Sequence, residues 1–482
     1  MNAPIRRVAM AVFVLFTLLF VNLNYVQVVK GGDYRRNPLN KRVQLQAYER
    51  ERGAIVVDGQ AIAYSVATKG ELKYERRYSA GELYAPVTGY KSLLYGETGI
   101  EQAEEPVLSG DDDRLFVRRI SDMVTGRRPV GGSVILTLRQ RVQAAAYKAL
   151  GNNTGAVVAL DPKTGAILAA VSRQSYDPNP LVKHDVNVER KAWERLSADP
   201  DKPMLNRALR DTYPPGSTFK VVVSAAALAN GYTPDSKIPA GLSYTAPGTR
   251  TPIRNFAGTD CTGNPTTLLS ALTVSCNTAY AQLGVRLGAD RVAAQAHAFG
   301  FDQKAPSVPL DAVDSHFGNP MDAPSLAQSS IGQRDVRMTP LQGAMIAAGV
   351  ANNGTVMKPY LVREITAPDL STLDTTAPAE FSRAMSPEVA APLRQMMVNV
   401  VEKGTGRAAQ LSGVTVGGKT GTAQNGPGLR DTLWFIGFAI VGNTPVAAVA
   451  VVLDQAGGSS AQATRIAGTV LQQAVSVQGG GR

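Results

Sequence analysis

Histidine is nearly missing from this chain. Three occur in 482 residues, His184, His297 and His316, and none falls in a catalytic motif, so a Ser-His-Asp triad has little support. Cysteine is as scarce, with Cys261 and Cys276 alone, and there is no His-Glu-x-x-His. No zinc site is therefore expected, and no metal. Glutamate is absent from Ser217 through Arg363. Internal repeats are lacking, and low complexity is confined to the Gly479-Gly480-Gly481 tail, expected to be disordered over 479–482. The formal net charge of +11 suits work beside anionic lipid or polymer. It does not argue for nucleic acid, because the basic residues are scattered and no aromatic-basic cluster occurs.

Long apolar runs are missing too, with one exception. Arg6 and Arg7 precede an uncharged stretch from Val8 to Val21 that extends through Leu23 toward Tyr25 and Val26. With its flanks it approaches the ~20 residues that span a bilayer. The segment from Asn22 to Val29 holds no small-x-small cleavage site, so an uncleaved anchor over 8–26 is expected rather than a signal peptide. The positive flank holds residues 1–7 in the cytoplasm and exports everything after Lys30.

Three short motifs carry the chemistry: Ser217-Thr-Phe-Lys220, Ser275-Cys-Asn277 and Lys419-Thr-Gly-Thr422. A serine hydroxyl attacks a carbonyl at neutral pH only when a base takes its proton. Lys220 lies three residues on, on the same helical face as Ser217. Pro214-Pro215-Gly216 cannot continue a helix from upstream, so one is expected to begin at Ser217, in the positive end of the macrodipole. That field, burial among Val221 to Val223 and Ala225 to Ala229, and a second cation nearby all push Lys220 toward its neutral form. Each motif alone is a common chance match; their order and setting are not.

The third motif has a rival. Gly413 to Thr420 also fits the nucleotide-binding pattern G-x-x-x-x-G-K-[ST]. A phosphate-binding loop follows a strand and opens a helix, whereas here Val414 and Val416 alternate like a strand and Asn425-Gly426-Pro427-Gly428 comes next. Gly417 and Gly418 are then expected to let backbone pack closely beside the site.

Asn37 to Gly132 is charged, short-stranded and turn-rich, with Arg52-Gly-Ala-Ile55 and Tyr95-Gly-Glu-Thr-Gly-Ile-Glu101. Val134 to Leu138 reads as a strand and Arg139 to Leu150 as a helix. Beyond it, Ala156 to Leu160 and Ala166 to Val171 flank a hairpin turn at Asp161 to Gly165. Strands at both ends of this region and an Ala-, Leu- and Gln-rich middle imply an α+β fold: one antiparallel sheet covered by helices, with the Lys419 strand at its edge.

The motif set resembles that of the penicillin-binding protein and serine β-lactamase superfamily. With Tyr213-Pro-Pro-Gly216, Gln328 to Gln333 and Gly404-Thr-Gly406, nearly the whole chain resembles an actinobacterial class B penicillin-binding protein of the A type. The resemblance implies a single-pass membrane protein with an extracytoplasmic catalytic domain: a pedestal or dimerisation domain over 27–150 and a transpeptidase domain over 151–478. It implies D,D-transpeptidation of peptidoglycan stem peptides ending in D-Ala-D-Ala, inhibition by β-lactams, no cofactor, and work beside a separate membrane glycan polymerase and other wall-synthesis proteins. By the same resemblance Ser217 is the nucleophile and Lys220 its base, Ser275 a proton relay, Asn277 a substrate ligand and Lys419 the second positive charge. Backbone N–H groups of Ser217 and Thr422 form the oxyanion hole, while Thr420, Gly421 and Thr422 bind substrate. Cys261 and Cys276 either pair or stay as two buried thiols; the sequence allows both. The alternatives are a D,D-carboxypeptidase, a serine β-lactamase and a catalytically silent scaffold. Against the β-lactamase stands the missing glutamate, which class A enzymes use in deacylation.

Overall fold

The computed structural model describes residues 3–31, 34, 45, 48–70, 72–116, 125–126, 130–258, 260–319 and 322–479. The apolar run forms α1 (Ala3–Asn24), prolonged by a π-helical turn over Tyr25–Val29. None of its side chains is buried, and the 27 residues Ala3–Val29 are long and apolar enough to cross a membrane. At 1.5 Å per residue they reach about 40 Å, against a hydrocarbon core of ~30 Å.

After α1 come β1 (Ile55–Val57), β2 (Gln60–Ala67), β3 (Tyr74–Tyr78) and β4 (Ser133–Leu136). The turn-rich motifs between them meet in one buried ionic cluster. Glu101 is fully buried and accepts from Arg52 Nε and Arg76 Nε at 2.6 Å each, with the Tyr78 hydroxyl at 3.1 Å. Arg52 and Lys91 also pair with Glu97 and Glu105. Burial alone raises the Glu101 pKa, but Arg76 and Arg52 outweigh it and hold the group at about 2.

Helix α2 (Gln140–Leu150) leads to β5 (Gly155–Leu160) and β6 (Ile167–Arg173), the expected hairpin. The helical middle includes α3 (Lys220–Ala229), α4 (Asn277–Leu287) and α5 (Pro340–Ala351). Next come β7 (Val362–Thr366), β8 (Thr372–Thr375) and α6 (Pro387–Lys403), then β9 (Thr415–Ala423), β10 (Thr432–Val441), β11 (Thr444–Leu453) and α7 (Ala461–Gly479). Gly479, given to the tail by sequence, ends α7; the expected disorder of 480–482 lies outside the described residues.

Two sheets organise the chain. One runs β8-β7-β4-β1-β2-β3, so strands from residues 362–375 complete a sheet begun at residue 55 and cross the expected 150/151 division. The other runs β9-β10-β11-β5-β6 and is antiparallel throughout, with β9 at its edge. Leu433, Phe435 and Ala439 pack with residues of α2 and α7, whereas Trp434, Ile436 and Phe438 share a core with α3 and α5. Because both faces are covered, β10 reads as an unbroken apolar run.

The strand through Lys419 excludes the phosphate-loop reading, since no helix opens there. Gly417 and Gly418 admit side chains rather than backbone. A methyl group on them would lie 2.3 Å from the Phe438 ring and 2.2 Å from the Phe435 ring. The aromatic rings of β10 fold over the glycines of β9, which the sequence pattern does not reveal.

Candidate active site

Ser217 lies in a 3-10 turn, Gly216–Phe219, and the α-helix proper starts at Lys220. The expected α-helical start at Ser217 is thus displaced. Gly216 has φ +53°, and two prolines precede it, so the chain enters as a tight turn. The entry is pinned on several sides. Gly216 N donates to Gly332 O at 2.9 Å, Trp434 Nε1 to Pro214 O at 3.0 Å, and Thr218 Oγ1 to Pro215 O at 2.8 Å. Gly421 leaves room for it: a Cβ there would stand 2.8 Å from Pro215 O.

One turn on, Lys220 is fully buried. Its Nζ donates to Asn277 Oδ1 at 2.7 Å and Ser275 O at 2.8 Å, with Ser275 Oγ at 3.4 Å, and lies 5.5 Å from the Tyr280 ring centroid. Lys419, also fully buried, reaches Ser275 Oγ at 2.8 Å and Thr420 O at 2.9 Å. Neither ammonium has a carboxylate partner among the described residues. Burial, then the facing Lys419, drives the Lys220 pKa well below its ordinary value. Burial lowers that of Lys419 to about 7. Ammonium groups without counter-ions lose protons when water is excluded.

The cleft above these lysines has a volume of ≈ 1020 Å³ and is lined by Ser217, Ser275, Asn277, Thr420 and Thr422. All three motifs therefore meet, though they are 57 and 144 residues apart in the contacts Lys220–Asn277 and Ser275–Lys419. Ser217 is half-buried, and its hydroxyl makes no hydrogen bond among the described residues. Thr420 Oγ1 is 2.6 Å from Thr405 Oγ1. Cys261 and Cys276 form a disulfide across 15 residues, which ties the Ser275–Asn277 corner to residue 261, and both line the same cleft.

The family model for the penicillin binding protein transpeptidase domain matches residues 155–472, around this cleft. The chain belongs to the penicillin-binding proteins. A second model, the penicillin binding protein A dimerisation domain, matches residues 52–134 of this penicillin-binding protein. It is 46% identical over 466 residues to the peptidoglycan D,D-transpeptidase PbpA of Mycolicibacterium smegmatis, covering 95% of this chain and 94% of the relative. The PbpA of Mycobacterium tuberculosis is 45% identical over 463 residues, covering 94% of each. Among solved structures, the ceftriaxone acyl-enzyme complex of penicillin-binding protein A from M. tuberculosis superimposes with a TM-score of 0.87 at 43% identity, over 89% of this chain and 100% of that one. The imipenem acyl-enzyme of the same protein gives 0.87 at 44% identity with the same coverage.

Sequence reasoning passed over three residues at the site of this penicillin-binding protein. Thr405 was signalled only by its Gly-Thr-Gly setting. Tyr280, beneath Lys220, reads as an ordinary core aromatic of α4. Asn255 lies in a loop rich in turn residues and carries no motif.

Proposed function

We infer that this penicillin-binding protein is a peptidoglycan D,D-transpeptidase working through an acyl-serine intermediate and acylated by β-lactams. Neutral Lys220 takes the Ser217 proton as Oγ attacks the carbonyl between two terminal D-alanines. The tetrahedral oxyanion is held by the backbone N–H groups of Ser217 and Thr422, where losing one such donor costs on the order of 3 kcal/mol. The C–N bond breaks as Ser275 passes a proton to the leaving nitrogen, giving D-alanine and a Ser217 ester. An amine from a second stem attacks the ester, the C–O bond breaks, and Ser217 recovers its proton. Lys419 supplies the positive charge for the substrate carboxylate, which the hydroxyls of Thr420 and Thr422 receive beside Gly421. Asn277 positions Lys220 and the substrate amide.

The observation that carries this reading is the shared Ser275 hydroxyl, 3.4 Å from the Lys220 ammonium and 2.8 Å from that of Lys419. It gives a proton path between base and leaving group with no histidine. The contacts of Ser217 itself close on substrate, as catalytic hydrogen bonds commonly do. In the same reading α1 anchors the protein with Arg6 and Arg7 on the cytoplasmic side, the cleft lies outside the membrane, and a separate membrane polymerase supplies glycan strands. Labelling with fluorescent penicillin tests the nucleophile: the intact protein labels and Ser217→Ala does not. Product analysis tests the reaction: cross-linked dimers support transpeptidation, whereas D-alanine release alone overturns it in favour of a carboxypeptidase.

A further inference from the structure

The corner that presents Ser275 and Asn277 is poorly made by its own sequence. Ser275 stands at φ +62°, a conformation that a serine adopts at a cost. The N-cap residue of α4 is Cys276, whose disulfide-bonded sulfur accepts from Ala279 N–H at 3.4 Å and leaves the N–H groups of Asn277 and Thr278 to another partner. A helix normally satisfies its first N–H groups with a Ser, Thr, Asp or Asn oxygen at that position.

For those two groups the cap comes from another segment. Asn255, 7% exposed, points Oδ1 at the backbone N–H of both Asn277 and Thr278, at 3.0 Å each. Its Nδ2 donates to Gly241 O at 2.8 Å, and the two N–H donors identify the atom facing them as the oxygen. The preceding carbonyl joins in, because Asn277 Nδ2 donates to Arg254 O at 3.1 Å. Two bonds from Arg254-Asn255 thus fix the backbone and the amide of Asn277, and a third holds the N–H of Thr278. That leaves Asn277 Oδ1 aimed at Lys220.

We propose that Asn255 is a positioning residue for acylation: it caps the first two N–H groups of α4, which Cys276 leaves open, and so sets the orientation in which Asn277 holds Lys220. This rests on the transpeptidase reading. The effect passes through an angle rather than through contact with substrate, and a misplacement near 1 Å in such a constellation costs about 100-fold in rate.

The test is the second-order acylation rate with fluorescent penicillin as a function of pH, on the full chain, beside thermal unfolding by circular dichroism. The charged group facing Lys220 among the described residues is Lys419. Asn255→Ala loosens Asn277 and removes an acceptor that favours the protonated amine. Acylation should fall about 100-fold, with the ascending limb of the profile displaced to lower pH. Asn255→Asp keeps the accepting oxygen and adds a negative charge, so most of the rate should return and the limb should move to higher pH. Acylation of Asn255→Ala at the wild-type rate overturns the proposal. So does equal loss in both variants with no displacement of the limb, the mark of a merely structural residue. If the alanine variant does not fold, the aspartate variant decides by the direction of its limb. Wild-type protein that fails to label would instead sink the transpeptidase reading, a separate outcome.

Discussion

Lys220 and Lys419, brought from opposite ends of the catalytic domain, converge on one hydroxyl, that of Ser275, at 3.4 and 2.8 Å. Two fully buried ammonium groups that share a neighbour cannot both stay charged without a counter-ion. In the transpeptidase reading one is neutral as a base and the other charged as a carboxylate receptor, a division that burial and mutual repulsion favour.

The first prediction concerns pH. Burial first and the Lys419 charge second drive the Lys220 pKa well below its ordinary value; in the transpeptidase reading acylation rises as Lys220 loses its proton and falls as Lys419, lowered by burial to about 7, loses its own. The rate constant for free enzyme is therefore bell-shaped. Lys419→Met removes the repelling charge, so the Lys220 pKa rises, the ascending limb moves to higher pH and the descending limb disappears. A stopped-flow β-lactam acylation series across about pH 5–9 checks both.

Glu101→Gln leaves Arg52 and Arg76 without their shared counter-charge and should cost about 4 kcal/mol in denaturant unfolding. Acid has a related effect. The Glu101 pKa is lowered from 4.5 to about 2, so the folded state binds fewer protons than the unfolded chain. Its contribution, on the order of 3 kcal/mol, is complete above pH 4.5 and is lost as pH falls toward 2. The Gln variant should lack this part of the pH dependence.

Gly332 supports the nucleophile from a distance. Its φ is +71°, and a Cβ would fall 2.0 Å from Gly216 O. Gly332→Ala should cost about 1–3 kcal/mol of stability and displace the Ser217 turn. Penicillin labelling that drops while far-ultraviolet dichroism at low temperature stays unchanged is the expected result.

The disulfide closes a 15-residue loop, for which constraint of the unfolded chain is worth about 3 kcal/mol. Replacing Cys261 and Cys276 together by serine should lower unfolding stability by about that amount. Thiol titration of the denatured protein without reductant should find no free thiol.

Much of the site was readable in the sequence because it depends on residue chemistry. Ser217 and Lys220 are spaced to share a helical face, the lack of histidine removes one catalytic solution, and the glycine-proline turn after Lys419 forbids a phosphate loop. Less was readable where a residue acts through a distant partner. Gly417 and Gly418 make sense only against the rings of Phe435 and Phe438, and Glu97 and Glu101 only against Arg52, Arg76 and Lys91.

Local pattern and residue chemistry were enough to read from the sequence a candidate nucleophile with its candidate base, the membrane-length helix and an antiparallel sheet with its edge strand at Lys419. Tertiary structure alone decided that the two lysines share Ser275, that Cys261 meets Cys276, that residues 362–375 complete the first sheet, and that Asn255 caps α4. Each of these is a contact between segments whose separation along the chain carries no record of their distance in space. Packing, which excludes water and makes an unpaired polar group costly, is what selects them.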